Sequence, residues 1–155
     1  MKFQHLVQIN DPRNPLIDPL TREQVWRGLV MKAENPLLFV PTLDSFKLLA
    51  RHANAIEREL RFGRLLVRDR ITLQPPDRMR KEIEAAGATP AATLVTGIEA
   101  PDDLKLFVRF DYTSHPHHGA PPVDPLYWGF IQQAYVEADT DAVRTIRRLI
   151  VEGKL

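Results

Sequence analysis

The chain has 155 residues, 21 Lys+Arg against 20 Asp+Glu, no cysteine and 13 prolines; a length of this order fits one domain, residues 1–155, with enough chain to bury a real core. A net charge of +1 gives no broad basic field for nucleic acid or an anionic membrane, and the missing cysteines exclude a disulfide framework, a thiolate metal site and a cysteine nucleophile. No apolar run approaches the roughly 20 residues of a membrane span, and Met1-Lys2-Phe3-Gln4-His5 does not open a signal peptide, so the expectation is a cytoplasmic protein with no stable membrane insertion.

Residues 3–9 alternate loosely and predict a first strand, broken at Asp11-Pro12-Arg13-Asn14-Pro15 because proline lacks the ladder N–H. Thr21 and Gln24 have capping-box spacing. Val25, Trp26, Leu29, Val30 and Ala33 then recur at helical spacing as one apolar face. Asn35-Pro36 ends this helix, and residues 36–43 predict a short second helix or a turn. From Phe46 to Tyr112 the rhythm changes to about six short strands joined as an antiparallel meander. Gly63-Arg64 separates the alternating runs 56–62 and 65–73, as a type II′ hairpin turn would. Pro75-Pro76-Asp77, Gly87 and Pro101-Asp102-Asp103 mark further connections. Residues 79–86 have good helix propensity, but their neighbours favour a strand. After a polar, proline-rich loop, Asp124 offers an N-cap and Pro125 the first helical position. A long helix is expected over residues 125–152, closed by Gly153. Tyr127, Ile131, Tyr135, Ala138, Ala142, Ile146 and Leu149 are its expected buried stripe. Such a stripe needs a large partner, and the curved sheet is the one available. The fold class is therefore α+β: a helix-grip arrangement of about seven antiparallel strands around a long C-terminal helix, with one or two short helices after the first strand.

Residues 16–29 (Leu-Ile-Asp-Pro-Leu-Thr-Arg-Glu-Gln-Val-Trp-Arg-Gly-Leu), followed by Ala33-Glu34-Asn35-Pro36, resemble the start of the AtaL-like branch of the SRPBCC superfamily. That superfamily includes START lipid-transfer domains, birch-pollen-allergen-like proteins and aromatic polyketide cyclases. Residues 67–73 (Val-Arg-Asp-Arg-Ile-Thr-Leu) and 138–144 (Ala-Asp-Thr-Asp-Ala-Val-Arg) fit as well, so the likeness spans essentially the whole chain. The resemblance implies a helix-grip fold with an apolar cavity between sheet and long helix. It supplies a fold and a ligand class, and no reaction.

The Gly63 turn fixes a register. Phe62 faces Leu65, Leu60 faces Val67, Arg58 faces Asp69 and Ile56 faces Ile71, while Glu59–Arg68 and Glu57–Arg70 pair on the other face. Each of these opposite-charge pairs favours the register by about 0.2–1 kcal/mol, and a one-residue slip would invert every side chain. Arg58 and Asp69 then form an ion pair on an otherwise apolar face. Two readings stand open: a polar anchor for a ligand in an apolar cavity, or a satisfied internal pair. Ala134, Ala138 and Ala142 form a small-residue ladder that leaves cavity volume or packs closely on the sheet. Tyr112, Tyr127, Trp128 and Tyr135 either line such a cavity or are simply core. The candidate ligand-binding residues are accordingly Arg58, Asp69, Phe62, Val67, Tyr112, Tyr127, Ile131 and Tyr135.

His115, His117 and His118 cluster, but Asp111 and Asp124 are the nearest acidic residues and no zinc signature is present. A solvated loop is expected, with no metal and no cofactor. Arg144, Arg147, Arg148 and Lys154 read as a solvated face complementing the helix dipole. Gly-x-Ser-x-Gly, P-loop and Gly-x-Gly-x-x-Gly patterns are absent from the sequence, which argues against serine hydrolase, nucleotide hydrolase and dinucleotide-dependent chemistry. The leading reading is a carrier of a small hydrophobic molecule. The alternative is a cyclase- or aromatase-like enzyme in which Asp69, Arg58 and a tyrosine share proton transfer on an enolisable ketone. A third reading is an interaction protein that forms a homodimer through a sheet edge or helix end.

Overall fold

The computed structural model describes residues 1–102 and 104–155. Its elements are β1 (Lys2–Asn10), α1 (Arg22–Glu34), a 3-10 turn (Pro36–Leu38), β2 (Ser45–His52), β3 (Ala55–Phe62), β4 (Leu65–Gln74), β5 (Arg78–Ile83), β6 (Ala91–Asp102), β7 (Lys105–His115) and α2 (Pro125–Val151). Among the described residues the seven strands form one antiparallel sheet in the order β1-β7-β6-β5-β4-β3-β2. The helix-grip arrangement expected from the element order is the one observed.

Local chemistry explains the element ends. Thr21 accepts from the Gln24 N–H at 3.0 Å while the Gln24 side chain accepts from the Thr21 N–H at 2.9 Å, closing the capping box. Asp124 accepts from the Leu126 N–H at 2.8 Å with Pro125 at the first helical position. Gly63 has a φ of +60°, and no non-glycine residue has positive φ among the described residues. That combination is the type II′ turn, and the register it sets is the derived one, from Phe62↔Leu65 through Arg58↔Asp69 to Ile56↔Ile71. Residues 79–83 are strand despite their helix propensity, because β5 is held on both sides by β4 and β6; tertiary pairing overrides local preference. Of the connection expected at Pro101-Asp102-Asp103, the last residue lies outside the described residues. Pro101 itself lies within β6, where the pairing register with β7 shifts between Glu99 and Asp102, the kind of irregularity that tolerates a proline.

α2 runs unbroken from Pro125 to Val151, with Asp139, Ala142, Val143, Ile146 and Leu149 buried. Here the expected stripe needs correction. Ala134 and Ala138 are exposed and Tyr127 is 61% exposed. The buried line passes instead from the half-buried Ile131 and Tyr135 through Asp139 to Ala142 and Val143. A search for apolar residues picks Ala138 over its charged neighbour and so rotates the helix by one residue, about 100°.

The packing partners of α2 are β1 and α1. Gly28 of α1 makes the second contact possible: a Cβ there would lie 2.5 Å and 2.6 Å from side-chain carbons of Ile146. Arg147 also departs from its expected solvated role. It donates to the backbone carbonyls of Ile9 at 2.8 Å and Asp18 at 2.6 Å, fastening α2 to the end of β1 and the segment after it. No helix is long and apolar enough to cross a membrane among the described residues.

Replacing Gly28 by alanine is expected to destabilise the fold by about 1–3 kcal/mol through overpacking against Ile146, read as a lowered urea midpoint at unchanged slope. An unchanged midpoint would show that the two helices separate without cost.

Candidate functional site

The pairing registers assemble the inner face of the sheet row by row. One row runs Ile56, Ile71, Lys81, Leu94, Tyr112, Phe3 across six strands. On one side of it lies Arg58, Asp69, Ile83, Ala92, Ser114; on the other, Leu73, Met79, Thr96, Phe110, His5. None of these side chains is fully exposed and more than half of them are apolar, so the few charged ones stand out.

Arg58 and Asp69 are 3% and 5% exposed. The guanidinium grips the carboxylate with two bonds, Nε to Oδ1 at 2.9 Å and a terminal nitrogen to Oδ2 at 2.6 Å. Its other terminal nitrogen donates to the Ala33 carbonyl at 3.0 Å. That carbonyl is in the last turn of α1, where no helical N–H reaches it, and Pro36 has none to offer. The pair therefore satisfies itself and closes a helix end.

Above it is a small, partly open cavity between α1 and the sheet. Leu29, Ala33, Ile71, Met79, Leu94 and Phe110 form its apolar walls, and Lys32, Arg58, Lys81 and Thr96 its polar ones. Its volume is about 40 Å³, room for a few waters at roughly 10–15 Å³ each by this measure. Lys32 and Lys81 are half-buried, and neither has an ion pair or side-chain hydrogen bond among the described residues. Burial pushes the Lys81 amine down to about 8; the positive charge of Lys32 adds to this, and Asp69 and Asp139 oppose it. Lys32 is shifted in the same direction, again by burial first, with Asp139 opposing.

A second polar cluster lies where α2 crosses β1 and β7. Asp139, 2% exposed, accepts from the Tyr112 hydroxyl at 2.6 Å and bonds His5 Nε2 at 2.7 Å. Aromatic rings enclose it: Tyr112 stacks on Tyr135 at 3.9 Å between centroids, and His5 on Phe110 at 5.2 Å. Burial and then the Asp139 charge raise the Tyr112 hydroxyl well above the usual phenol range, and the same two causes raise Tyr135.

The candidate residues thus fall into separate places. Arg58 and Asp69 meet at the base of the cavity, with Arg58 lining it. Tyr112, Tyr135 and the half-buried Ile131 belong with the Asp139 cluster or beside it. Phe62 and Val67 are half-buried on the same face as Arg58 and Asp69, toward the hairpin tip. Tyr127 stands in solvent with Leu126 and Phe130. Of the histidines, His115 bonds Thr93 Oγ1 at 2.9 Å and His117 bonds the His118 carbonyl at 3.0 Å. No group of three His, Cys, Asp or Glu side chains suited to a metal occurs among the described residues.

Lys32, Lys81, Asp139 and His5 are not among the residues singled out from sequence, although each carries a signal. Lys32 lies seven residues after Val25 and three after Leu29, on the buried face of α1. Lys81 alternates between Met79 and Ile83 once residues 78–83 are a strand. His5 occupies an inward position of β1 beside Phe110, and Asp139 follows Tyr135 by one helical turn.

A curved antiparallel sheet closed by a long C-terminal helix is the helix-grip fold. The chain belongs to the AtaL family: residues 7–153 match the family described as acetylaranotin biosynthesis cluster protein L. No curated protein has a matching sequence. Among solved structures, the Zhui aromatase/cyclase from Streptomyces sp. R1128 superposes with a TM-score of 0.65 at 17% identity, over 97% of this chain and 95% of that one. A Thermus thermophilus protein, TTHA0849, gives 0.65 at 12% identity over 100% of both chains, and Ara h 8.0201 gives 0.63 at 12% over 95% and 98%. At such identities the likeness is one of fold.

Two outcomes follow for the charged groups. Asp69→Ala leaves a buried guanidinium uncompensated and is expected to cost about 3–5 kcal/mol in urea unfolding; a loss of about 1 kcal/mol or less would place the pair at a wet rim. For Lys81, the folded amine releases its proton near pH 8, whereas the unfolded amine holds it to the ordinary value of 10.5. Between these values the unfolded chain binds more protons, so stability rises with pH. Lys81→Met is therefore expected to melt higher than the parent at pH 7, with the gap narrowing by pH 10.5. A constant gap would mean that Lys81 is solvated in the folded protein.

Proposed function

We propose that the protein binds a small apolar ligand on the inner face of the sheet. The observation that carries this reading is the incomplete cover of that face. α2 packs on β1 and α1, while Phe46, Phe62 and Val67 stay half-buried and Leu48 and Leu65 are 50% and 40% exposed. All five point to the same side as Arg58 and Leu60. An apolar concavity with a few fixed polar groups is the usual make-up of a small-molecule site. The enclosed part, about 40 Å³, takes only one end of a ligand, and the rest would lie along β3 and β4 toward the hairpin tip. The groove beside Trp26, Val30 and Leu155 is larger, about 420 Å³, but holds no buried polar group to orient a guest.

A second reading, cyclase- or aromatase-like proton transfer on an enolisable ketone, draws on the Asp139–Tyr112–His5 cluster. A buried carboxylate held by a phenol and an imidazole has the make-up of an acid–base device, and the Zhui structure shares the fold. In this reading the buried amines and guanidinium favour the developing enolate charge.

One panel tests both readings. Thermal melts with decan-1-ol, 1-naphthol and 1-tetralone are expected to show at least one stabilising ligand. Saturation at about a hundredfold over Kd gives roughly 2.7 kcal/mol, or several degrees for a chain of this size. The shift should vanish in Val67→Asp. No shift with any compound overturns the binding reading. Proton–deuterium exchange at the α-carbon of 1-tetralone, faster than in buffer and lost in Asp139→Asn, would establish the enzyme reading, and exchange at the buffer rate would remove it.

A further inference from the structure

Lys32 and Lys81 reach one cavity from different elements, α1 and β5, and both line it. Their neighbours are accounted for in other ways. Arg58 and Asp69 neutralise each other through two bonds. Asp139 is occupied by His5 and Tyr112. Neither lysine has a carboxylate in contact among the described residues, so two ammonium groups share an apolar space with only the more distant Asp139 to offset both. Like charges held together in such surroundings are unfavourable, and a neutral core would have used methionine or leucine. Solvation of both tips would relieve the cost, yet each lysine is half-buried beside a cavity whose walls are six apolar side chains. The enclosed volume, about 40 Å³, suits a headgroup of a few heavy atoms and not a whole ligand.

We propose that Lys32 and Lys81 together seat the carboxylate of a small amphiphilic acid, whose apolar body lies along the uncovered inner face of β3 and β4. This deepens the apolar-ligand reading and rests on it. One carboxylate between two ammonium groups makes two charge-assisted hydrogen bonds and removes the repulsion between them. Arg58 is neutralised by Asp69 and spends three of its five N–H groups on Asp69 and Ala33, so the unpaired positive charge at the cavity is that of the lysines. The depressed Lys81 amine agrees with this seat, since a bound anion would favour its charged form again. The groups that face Lys81 are Lys32, Arg58, Asp69 and Asp139.

The test uses the intact protein at pH 7 and titrates sodium decanoate against two uncharged probes of the same chain, decan-1-ol and methyl decanoate, by calorimetry. Decanoate is expected to bind at least tenfold more tightly than either. Lys32→Met and Lys81→Met should each lower decanoate affinity at least fivefold and leave decan-1-ol affinity within twofold. Both replacements remove a buried charge, so their melting temperatures should not fall; Lys32→Gln and Lys81→Gln supply a second pair if either does. Equal affinity for acid and alcohol, or equal loss of both in the variants, overturns the carboxylate seat while leaving the apolar site intact. Failure of all three probes to bind overturns the seat and counts against the apolar site as well.

Discussion

The bidentate pair between Arg58 and Asp69 is the constraint on which the inner face depends. It welds β3 to β4 at a depth where neither charge could stand alone. Through the Ala33 carbonyl it also fixes where α1 ends against the sheet. The position of α1 in turn sets the roof of the cavity, and Gly28 sets how closely α2 approaches that roof. A single ion pair thus relates three layers: sheet, first helix and last helix. Each carboxylate oxygen and each guanidinium nitrogen has a partner in doing so, which suits the structural of its two sequence readings, though Arg58 still lines the cavity.

The inner face carries two electrostatic regimes side by side. Under α1 the uncompensated charge is positive and sits among aliphatic walls. Under α2 it is negative, carried by Asp139, and is dispersed through a phenol and an imidazole into a stack of rings. The two regimes are linked, since Asp139 partly offsets the burial of both lysines. A ligand entering one region would therefore be felt in the other through charge alone.

Much of the fold is legible along the chain because local rules dictate it. The Gly63 turn, strand alternation and cross-strand charge pairs determine the β3–β4 register residue by residue, and the Thr21–Gln24 box locates the start of α1. The face of α2 is misread where apolarity is taken as the sign of burial: Asp139 is buried because β1 and β7 supply its partners, 134 and 27 residues away in the sequence. Lys32 and Lys81 escape notice for the same reason, although their spacing places both on inward faces. Arg147 looks solvated because its acceptors are backbone carbonyls, which leave no trace in residue identity. The site is legible only after the registers of six strands are known together.

The strand order has a consequence for how the chain reaches this state. From β2 to β7 each strand pairs with its neighbour in sequence, so the sheet can grow by successive local loop closures, each of small entropic cost. β1 is the exception. It pairs only with β7, joining Leu6 to Arg109, the kind of non-local contact that slows folding. His5 travels with β1, while Asp139 arrives later still on α2. The Asp139 cluster therefore waits for a contact across 134 residues, whereas the Arg58–Asp69 pair closes across 11 and can form before α2 has been made.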